Sequence, residues 1–198
     1  MLIAIPFLGD TVHGRLIIGF FNVTVLVTAV AAVASSRLSF VIAIFLGLAM
    51  LPLQFLALQS GLPGHFALFW GFGAAFYGLT LVHLLNYVLR RDMMTADKLY
   101  GAVAAYIMIA ILWACLYGVL QYFYPGAFNF NGTPKALNLA ELVYFSFTAL
   151  TTVGFGDIAP AVIQSRFLTI LETVTGVMYV AILIARLTGV YPVVVKKP

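Results

Sequence analysis

The sequence predicts an all-α membrane protein in which several spanning helices accompany one short helix that enters the bilayer and turns back. Composition is the first reason, because 64% of the 198 residues are hydrophobic and 8% are charged, whereas a soluble domain carries about 25% charged residues. The mean hydropathy is +1.10. The second reason is a set of five apolar runs of about 20 residues or more, long enough to cross roughly 30 Å of hydrocarbon as helices. The third is a shorter apolar run between the last two.

The long runs are predicted to be transmembrane helices at residues 15–34, 38–58, 66–89, 98–123 and 166–190. Pro52 and the glycines of GFGAAF at 71–76 are compatible with membrane helices, where neighbouring groups satisfy freed backbone. GFGAAF lacks the preceding strand of a nucleotide loop, so its small residues indicate close helix packing. The single cysteine, Cys115, cannot form an intrachain disulfide, and we expect it to be buried.

Lysine and arginine near the helix ends predict the orientation, since cytoplasmic flanks are enriched in both. We assign Arg15, Lys135 and Arg166 to the outside and the larger set to the cytoplasm. That set is Arg37, Arg90, Arg91, Lys98, Arg186, Lys196 and Lys197. The prediction is a multi-pass protein of the cell membrane, with the 124–165 loop outside and the C-terminus in the cytoplasm. Because the basic residues flank apolar runs, the net charge of +4 does not indicate a nucleic-acid partner.

The outer loop is predicted to end in a short helix. Its first third is rich in Pro, Gly and Asn and indicates an exposed loop. Asn138 and Glu141 then have the spacing of an N-terminal capping box, which predicts a helix over LAELVYFSFTAL, residues 139–150. A helix of about twelve residues enters the membrane only part of the way.

The chain returns from this helix as TTVGFGD, residues 151–157. Non-helical backbone at membrane depth leaves polar groups unpaired, at a cost of several kcal/mol each, unless protein, water or ions satisfy them. Carbonyl oxygens suit a hard cation, and glycines permit the left-handed angles that let successive carbonyls share a direction. The negative C-terminus of the short helix favours a cation at the same place. The residues therefore predict a cation-binding backbone segment.

TTVGFGD resembles the selectivity filter of potassium channels, and the order of helix, short helix, filter and helix resembles their pore unit over roughly residues 98–190. The resemblance implies that K⁺ is the permeant ion, that no other cofactor is needed, and that backbone oxygens and one threonine hydroxyl replace its hydration shell. The implied filter residues are Thr152, Val153, Gly154, Phe155 and Gly156, with Thr151 and Asp157 as flanking support.

Two departures from the family pattern lie at the filter. Phe155 stands where tyrosine is commoner, which removes a phenolic hydroxyl. Tyr144 and Phe145 stand where many relatives carry a tryptophan pair, one of which hydrogen-bonds the acid after the filter. We expect Tyr144 to donate to Asp157 instead, and a filter without that bond to collapse more readily.

The last span resembles the inner helix of the family. Gly176 lies at the spacing of its hinge glycine, and it is interpreted either as a hinge or as a site of close packing. At helical spacing, four side chains are predicted to face the pore and to form a constriction that closes by dewetting. These are Val177, Val180, Ile184 and Thr188. Glu172 is predicted to support the filter through Thr148 or Ser146, as a structural buttress or as a proton sensor.

The sequence thus predicts a K⁺-selective channel that is a homotetramer, because one filter segment supplies one wall of a fourfold ring. Residues 1–92 are assigned to about three additional N-terminal helices, 93–191 to the pore domain and 192–198 to a short tail. The first helices lack the repeated basic residues of a voltage sensor. No catalytic grouping indicates an enzyme. A nonconducting or regulatory subunit with a pore fold, or a K⁺ transporter, remains the alternative; a transporter would ordinarily show internal repeats.

Overall fold

The computed structural model describes residues 37–60, 62–90 and 95–190. This part of the chain is mostly helical, with a small three-stranded sheet beside the short fourth helix. In chain order the elements are α1 (Arg37–Ser60), α2 (Pro63–Val88), α3 (Ala96–Phe123), β1 (Phe128–Phe130), β2 (Thr133–Pro134), α4 (Leu139–Leu150), β3 (Ile158–Pro160) and α5 (Ile163–Val190).

Three of the described helices are long and apolar enough to cross a membrane, which makes this a multi-pass membrane protein. They contain the spans Gly64–Val88, Ala96–Phe123 and Ile163–Leu187. The second predicted run is also helical, as α1, but its described apolar stretch falls short of that length. The first predicted run, 15–34, lies outside the described residues. The predicted short helix is α4, with the predicted bounds.

Glycines bring α2 and α3 together as an antiparallel pair. A Cβ added to Gly118 would overlap the Trp70 ring, and one added to Gly73 would lie 3.1 Å from the Cys115 sulfur. At the other end of the pair, a Cβ on Gly101 would lie 3.1 Å from Val88. The prediction that GFGAAF serves helix packing is confirmed at Gly73, and Cys115 is buried as predicted.

The core that positions α4 is aromatic. The fully buried Tyr117 of α3 makes edge-on contacts with Phe128 of β1 and Phe145 of α4, with ring centroids 5.4 and 5.2 Å apart. Phe128 and Phe145 also meet each other at 5.2 Å. Such pairs contribute about 0.5–1.5 kcal/mol each beyond the area they bury. One side of α4 is therefore fixed against α3 and the sheet.

Helix α5 packs on α3 and α4 but remains largely uncovered. In its most apolar stretch 11% of the residues are buried, against 33% for α2 and 39% for α3. Its large exposed apolar side chains include Phe167, Ile170, Leu171, Val174, Val177, Met178, Val180, Ile182 and Ile184. An apolar surface of this extent is satisfied by lipid or by further protein chains.

Candidate functional site

The short helix α4 begins at a complete capping box, as predicted. The Asn138 side chain accepts from the Glu141 backbone N–H at 3.0 Å, and the Glu141 carboxylate accepts from the Asn138 backbone N–H at 2.9 Å. Lys135 also contacts Glu141, with 2.5 Å between the charged atoms. These bonds satisfy donors at the exposed end of α4 and fix where the helix starts.

The segment TTVGFGD leaves α4 in a non-helical conformation. Every second residue has a positive φ: 62° at Thr152, 52° at Gly154 and 85° at Gly156. A left-handed conformation costs a non-glycine residue such as Thr152 about 1–3 kcal/mol and is typical of functional segments. The base of the segment is anchored, since the backbone N–H groups of Thr152 and Gly154 donate to the carbonyls of Ala149 and Thr148 at 3.0 and 3.1 Å. Residues 151–156 are all exposed on the single chain.

The predicted hydrogen bond between Tyr144 and the C-terminal end of this segment is present. The Tyr144 hydroxyl donates to the Asp157 carboxylate at 3.1 Å, and the Tyr144 ring lies parallel to Phe155 with centroids 6.2 Å apart. Partial removal from water and the neighbouring Asp157 carboxylate raise the pKa of the Tyr144 hydroxyl above its usual value, so it stays protonated and able to donate. The Tyr144 side chain of α4 thus contacts both Phe155 and Asp157.

The loop between α3 and α4 contributes two strands to a small sheet where the sequence predicted only an exposed loop. Strand β1 lies between β2 and β3, all antiparallel, and Phe130 pairs with Ile158. The next backbone bond joins the Asn131 N–H to the Asp157 carbonyl at 2.8 Å. The sheet and this additional backbone bond therefore fix the position of Asp157, which follows the exposed residues 151–156.

An overlooked sequence feature explains the hairpin between β1 and β2. Asn131 and Gly132 have φ values of 47° and 81°. Positive φ at both central residues is the geometry of a two-residue hairpin turn, for which Asn-Gly is the preferred sequence. The Asn-Gly pair was visible in the loop and predicts a hairpin.

Behind α4, the carboxyl group of Glu172 is fully buried. It accepts from the Tyr117 hydroxyl at 2.5 Å and lies in a short hydrogen bond with the Ser146 hydroxyl. Of the two predicted partners Ser146 is the one present, because the Thr148 hydroxyl donates to the Phe145 carbonyl instead. The sequence did not indicate Tyr117, whose helix lies far from Glu172 along the chain. Glu172 thus joins α5 to both α3 and α4.

Below Glu172, Gly176 lies against the end of α4. A Cβ on Gly176 would overlap the Leu150 carbonyl oxygen, so this glycine permits a close approach of the two helices. Near the same end of α4, the Thr173 hydroxyl lies 3.3 Å from the Ala149 carbonyl and the Tyr106 hydroxyl 3.4 Å from the Leu150 carbonyl. The structure supports the packing interpretation of Gly176, and hinge motion stays a prediction.

The predicted pore-facing residues all lie on α5. Val177, Val180 and Ile184 are 53%, 43% and 56% exposed on the single chain. Thr188 lies in the same helix, and its side chain is outside the described part. The exposed apolar side chains continue along α5 from the level of Gly176 towards its C-terminal end.

Together, α3, α4, the exposed segment and α5 have the arrangement of an ion-channel pore domain: two span-length helices flank a short helix that ends in non-helical backbone. A protein-family model described as an ion channel matches residues 103–191, which contain this arrangement.

Three curated proteins that are similar in sequence to this chain identify the family more specifically. The chain is 31% identical over 126 residues to the voltage-gated potassium channel Kch of Escherichia coli (strain K12), covering 63% of this chain and 28% of that protein. It is 32% identical over 95 residues to two-pore potassium channel 4 of Arabidopsis thaliana, covering 48% of this chain and 33% of that protein. It is 32% identical over 72 residues to potassium channel protein kcv of Paramecium bursaria Chlorella virus 1, covering 34% of this chain and 77% of that protein.

The chain belongs to the potassium channel family, which is a family of ion channels and not of enzymes. It spans 28% and 33% of the length of the first two relatives. No solved structure matches the chain.

Proposed function

We propose that the protein conducts K⁺ passively and selectively through a pore formed by four copies of the chain. The observation that carries this proposal is the state of residues 151–156, which are exposed and non-helical between hydrogen-bonded flanks. One such segment supplies one wall of a pore, and a ring of carbonyls around K⁺ needs four. The largely uncovered α5 offers apolar surface for contact between copies.

In this proposal each part of the site has one role. Backbone oxygens of Thr152, Val153, Gly154 and Phe155, with the Thr152 hydroxyl, coordinate K⁺, and Gly156 turns the chain outward. Thr151, Asp157, Tyr144 and Glu172 support the filter. Helix α5 is the inner helix: it lines the ion path on the side of the filter away from Gly156 and carries the gate. The gate residues are Gly176, Val177, Val180, Ile184 and Thr188.

The pore domain is assigned to residues 93–191 and the helices before it to a role other than voltage sensing. Helix α2 contains no Lys or Arg, and a voltage sensor needs several such charges within the membrane field. The name of one relative includes voltage gating, which applies to that protein. A current from this chain that is set by the K⁺ gradient and lacks a steep dependence of open probability on voltage supports the assignment.

Basic residues support the proposed orientation in the cell membrane. The Arg186 guanidinium of α5 donates to the backbone carbonyl of Arg90, which brings two charges assigned to the cytoplasm to the same end of the bundle. Lys135 lies at the opposite end, beside the start of α4. The excess of Lys and Arg at the first end favours its cytoplasmic placement.

Reconstitution into liposomes with a K⁺ gradient tests the function. A reversal potential that follows K⁺ over Na⁺ supports the channel; saturating uptake without current indicates a transporter, and no flux indicates a nonconducting subunit. Gly154→Ala is the matched filter variant. Within the single chain the added Cβ meets nothing within 4 Å, so the variant mainly strains a backbone with φ of 52°. We expect it to lose K⁺ selectivity while the protein still folds.

A further inference from the structure

Around Glu172, three pairs of oxygen atoms lie within hydrogen-bond distance of each other. If Glu172 were ionised, only the Tyr117 and Ser146 hydroxyls would supply hydrogens for these three contacts. The Ser146 hydroxyl oxygen lies 2.6 Å from the Ala110 carbonyl oxygen and also forms the short hydrogen bond with Glu172. The Tyr117 hydroxyl donates to the other carboxyl oxygen of Glu172. Four side-chain or backbone groups from α3, α4 and α5 therefore meet within one buried cluster.

Counting hydrogens decides how the cluster is bonded. A serine hydroxyl has one hydrogen, and a backbone carbonyl has none. If Ser146 gave its hydrogen to an ionised Glu172, the Ser146 and Ala110 oxygens would face each other at 2.6 Å with no hydrogen between them. If Ser146 donates to Ala110, the hydrogen towards Glu172 must come from the carboxyl group. A neutral carboxylic acid satisfies both contacts.

We propose that Glu172 is a neutral carboxylic acid whose proton, donated to Ser146, positions α4 against α3 and α5 behind the filter. The hydrogens then run in one direction, from Tyr117 to Glu172, from Glu172 to Ser146 and from Ser146 to the Ala110 carbonyl. The effect on conduction rests on the proposed channel function, whereas the protonation state does not.

The surroundings of Glu172 favour the neutral form. No cation pairs with it within the described part of the chain, where the ion pair found is Lys135 with Glu141. From α3 it is faced by the hydroxyl of Tyr117 and, at longer range, by Tyr106; from α4 it is faced by Ser146, which does not titrate. An unpaired buried carboxylate is costly, and a buried acid avoids this cost by keeping its proton.

The position of the cluster links this proton to the filter. Ser146 lies on α4, whose last residue, Leu150, directly precedes the TTVGFGD segment. Removing the proton leaves the single Ser146 hydrogen to serve two acceptors, the Ala110 carbonyl and the Glu172 carboxylate. Whichever acceptor does not receive it faces the Ser146 oxygen with no hydrogen between them, so one of the contacts that hold α4 becomes repulsive. We therefore expect alkaline pH to loosen α4 and to inactivate the filter.

Infrared difference spectroscopy of the purified protein during an alkaline titration tests the protonation state without any conduction. We expect a protonated carboxylic acid carbonyl band near neutral pH, absent in Glu172→Gln and shifted to higher frequency in Ser146→Ala, which removes the acceptor. Absence of that band in the wild-type protein near neutral pH, or a band unchanged by Glu172→Gln, overturns the proposal. The wild-type measurement stands even if a variant fails to fold.

Current measurements then test the positioning role. Glutamine presents an acceptor to Tyr117 and a donor to Ser146, as the neutral acid does. We expect Glu172→Gln to retain at least half of the wild-type current near neutral pH and to abolish alkaline inactivation, whereas Glu172→Ala loses most of the current. Equal loss in Glu172→Gln and Glu172→Ala, or an unchanged alkaline profile in Glu172→Gln, contradicts the role. A wild-type protein without current at any pH overturns the proposed channel function and leaves the spectroscopic result intact.

Discussion

Replacing Tyr144 with phenylalanine isolates one hydroxyl group at the C-terminal end of the proposed filter. The ring remains, so its parallel contact with Phe155 at 6.2 Å is retained. What is lost is the 3.1 Å hydrogen bond to Asp157. Asp157 keeps its backbone bond to Asn131, so the substitution weakens the support of the filter without removing it.

The magnitude follows from the exposure of this bond. Hydrogen bonds to charged groups contribute about 1.5–3 kcal/mol and ordinary ones about 0.5–1.5 kcal/mol. Tyr144 is 37% exposed, so water competes and a value of about 1 kcal/mol is appropriate. Since 1.4 kcal/mol is a factor of ten, Tyr144→Phe should raise the equilibrium ratio of collapsed to conducting filters about fivefold per subunit.

Single-channel recording under prolonged opening measures this ratio as the fraction of time spent in long closures. The matched control is Tyr122→Phe, since Tyr122 is similarly exposed and its hydroxyl has no hydrogen-bond partner among the described residues. Asp157→Ala with Tyr144→Phe completes a double-mutant cycle that assigns the effect to this pair, because alanine has no acceptor for the Tyr144 hydroxyl. Closures in Tyr144→Phe that match those of the wild type and of Tyr122→Phe would refute the reasoning.

Three further predictions test the helix contacts and the topology. Gly176→Ala should destabilise the protein by about 1–3 kcal/mol, because the added Cβ overlaps the end of α4. Gly71→Ala is the control, since its added Cβ meets nothing within 4 Å and should not destabilise the protein. Thermal unfolding in detergent compares the two variants, and equal stability contradicts the packing role of Gly176. Asn138→Ala should cost about 1 kcal/mol by removing the capping box, and an unchanged melting temperature opposes this. Because Cys115 is buried, cysteines introduced elsewhere can report which side of the membrane they face. A membrane-impermeant thiol reagent applied to intact cells should label Ala136→Cys and not Lys197→Cys. The reverse labelling pattern would show that the proposed orientation is wrong.

The local elements of the pore domain were predictable because short-range chemistry determines them. Asn138 and Glu141 lie one helical turn apart, so their reciprocal bonds could be inferred from spacing. The non-helical backbone of residues 151–157 was predictable because its glycines permit the left-handed conformations that the structure shows at Gly154 and Gly156. The filter role proposed for it rests on the resemblance to potassium channels. The Asn131-Gly132 turn carried equally local information, because this pair favours a two-residue hairpin turn.

The contacts between distant segments were not predictable from one sequence. Pairing of β1 with β3 joins the loop between α3 and α4 to the chain that follows residues 151–157, and no local preference specifies that register. In the sequence, Tyr117 is one of several aromatic residues of an apolar helix, and nothing near it in the chain indicates a partner. Its contact with Glu172 follows only from the packing of α3 against α5. The spacing of Gly176 fitted a hinge and a packing site equally well, and the position of the Leu150 carbonyl shows that this glycine permits close contact between α5 and α4.

By itself the sequence determined the membrane class, the bounds of α4 and the position of a non-helical segment after it, because these follow from apolar length, helix spacing and backbone freedom over short stretches of chain. The Tyr144 and Asp157 pair was predicted from the resemblance to potassium channels. Only the tertiary structure decided which groups meet Glu172, what lies against Gly176 and how a sheet holds the end of the filter. The reason is that a buried polar group must find partners wherever packing brings them, and packing depends on side-chain shape across several helices at once.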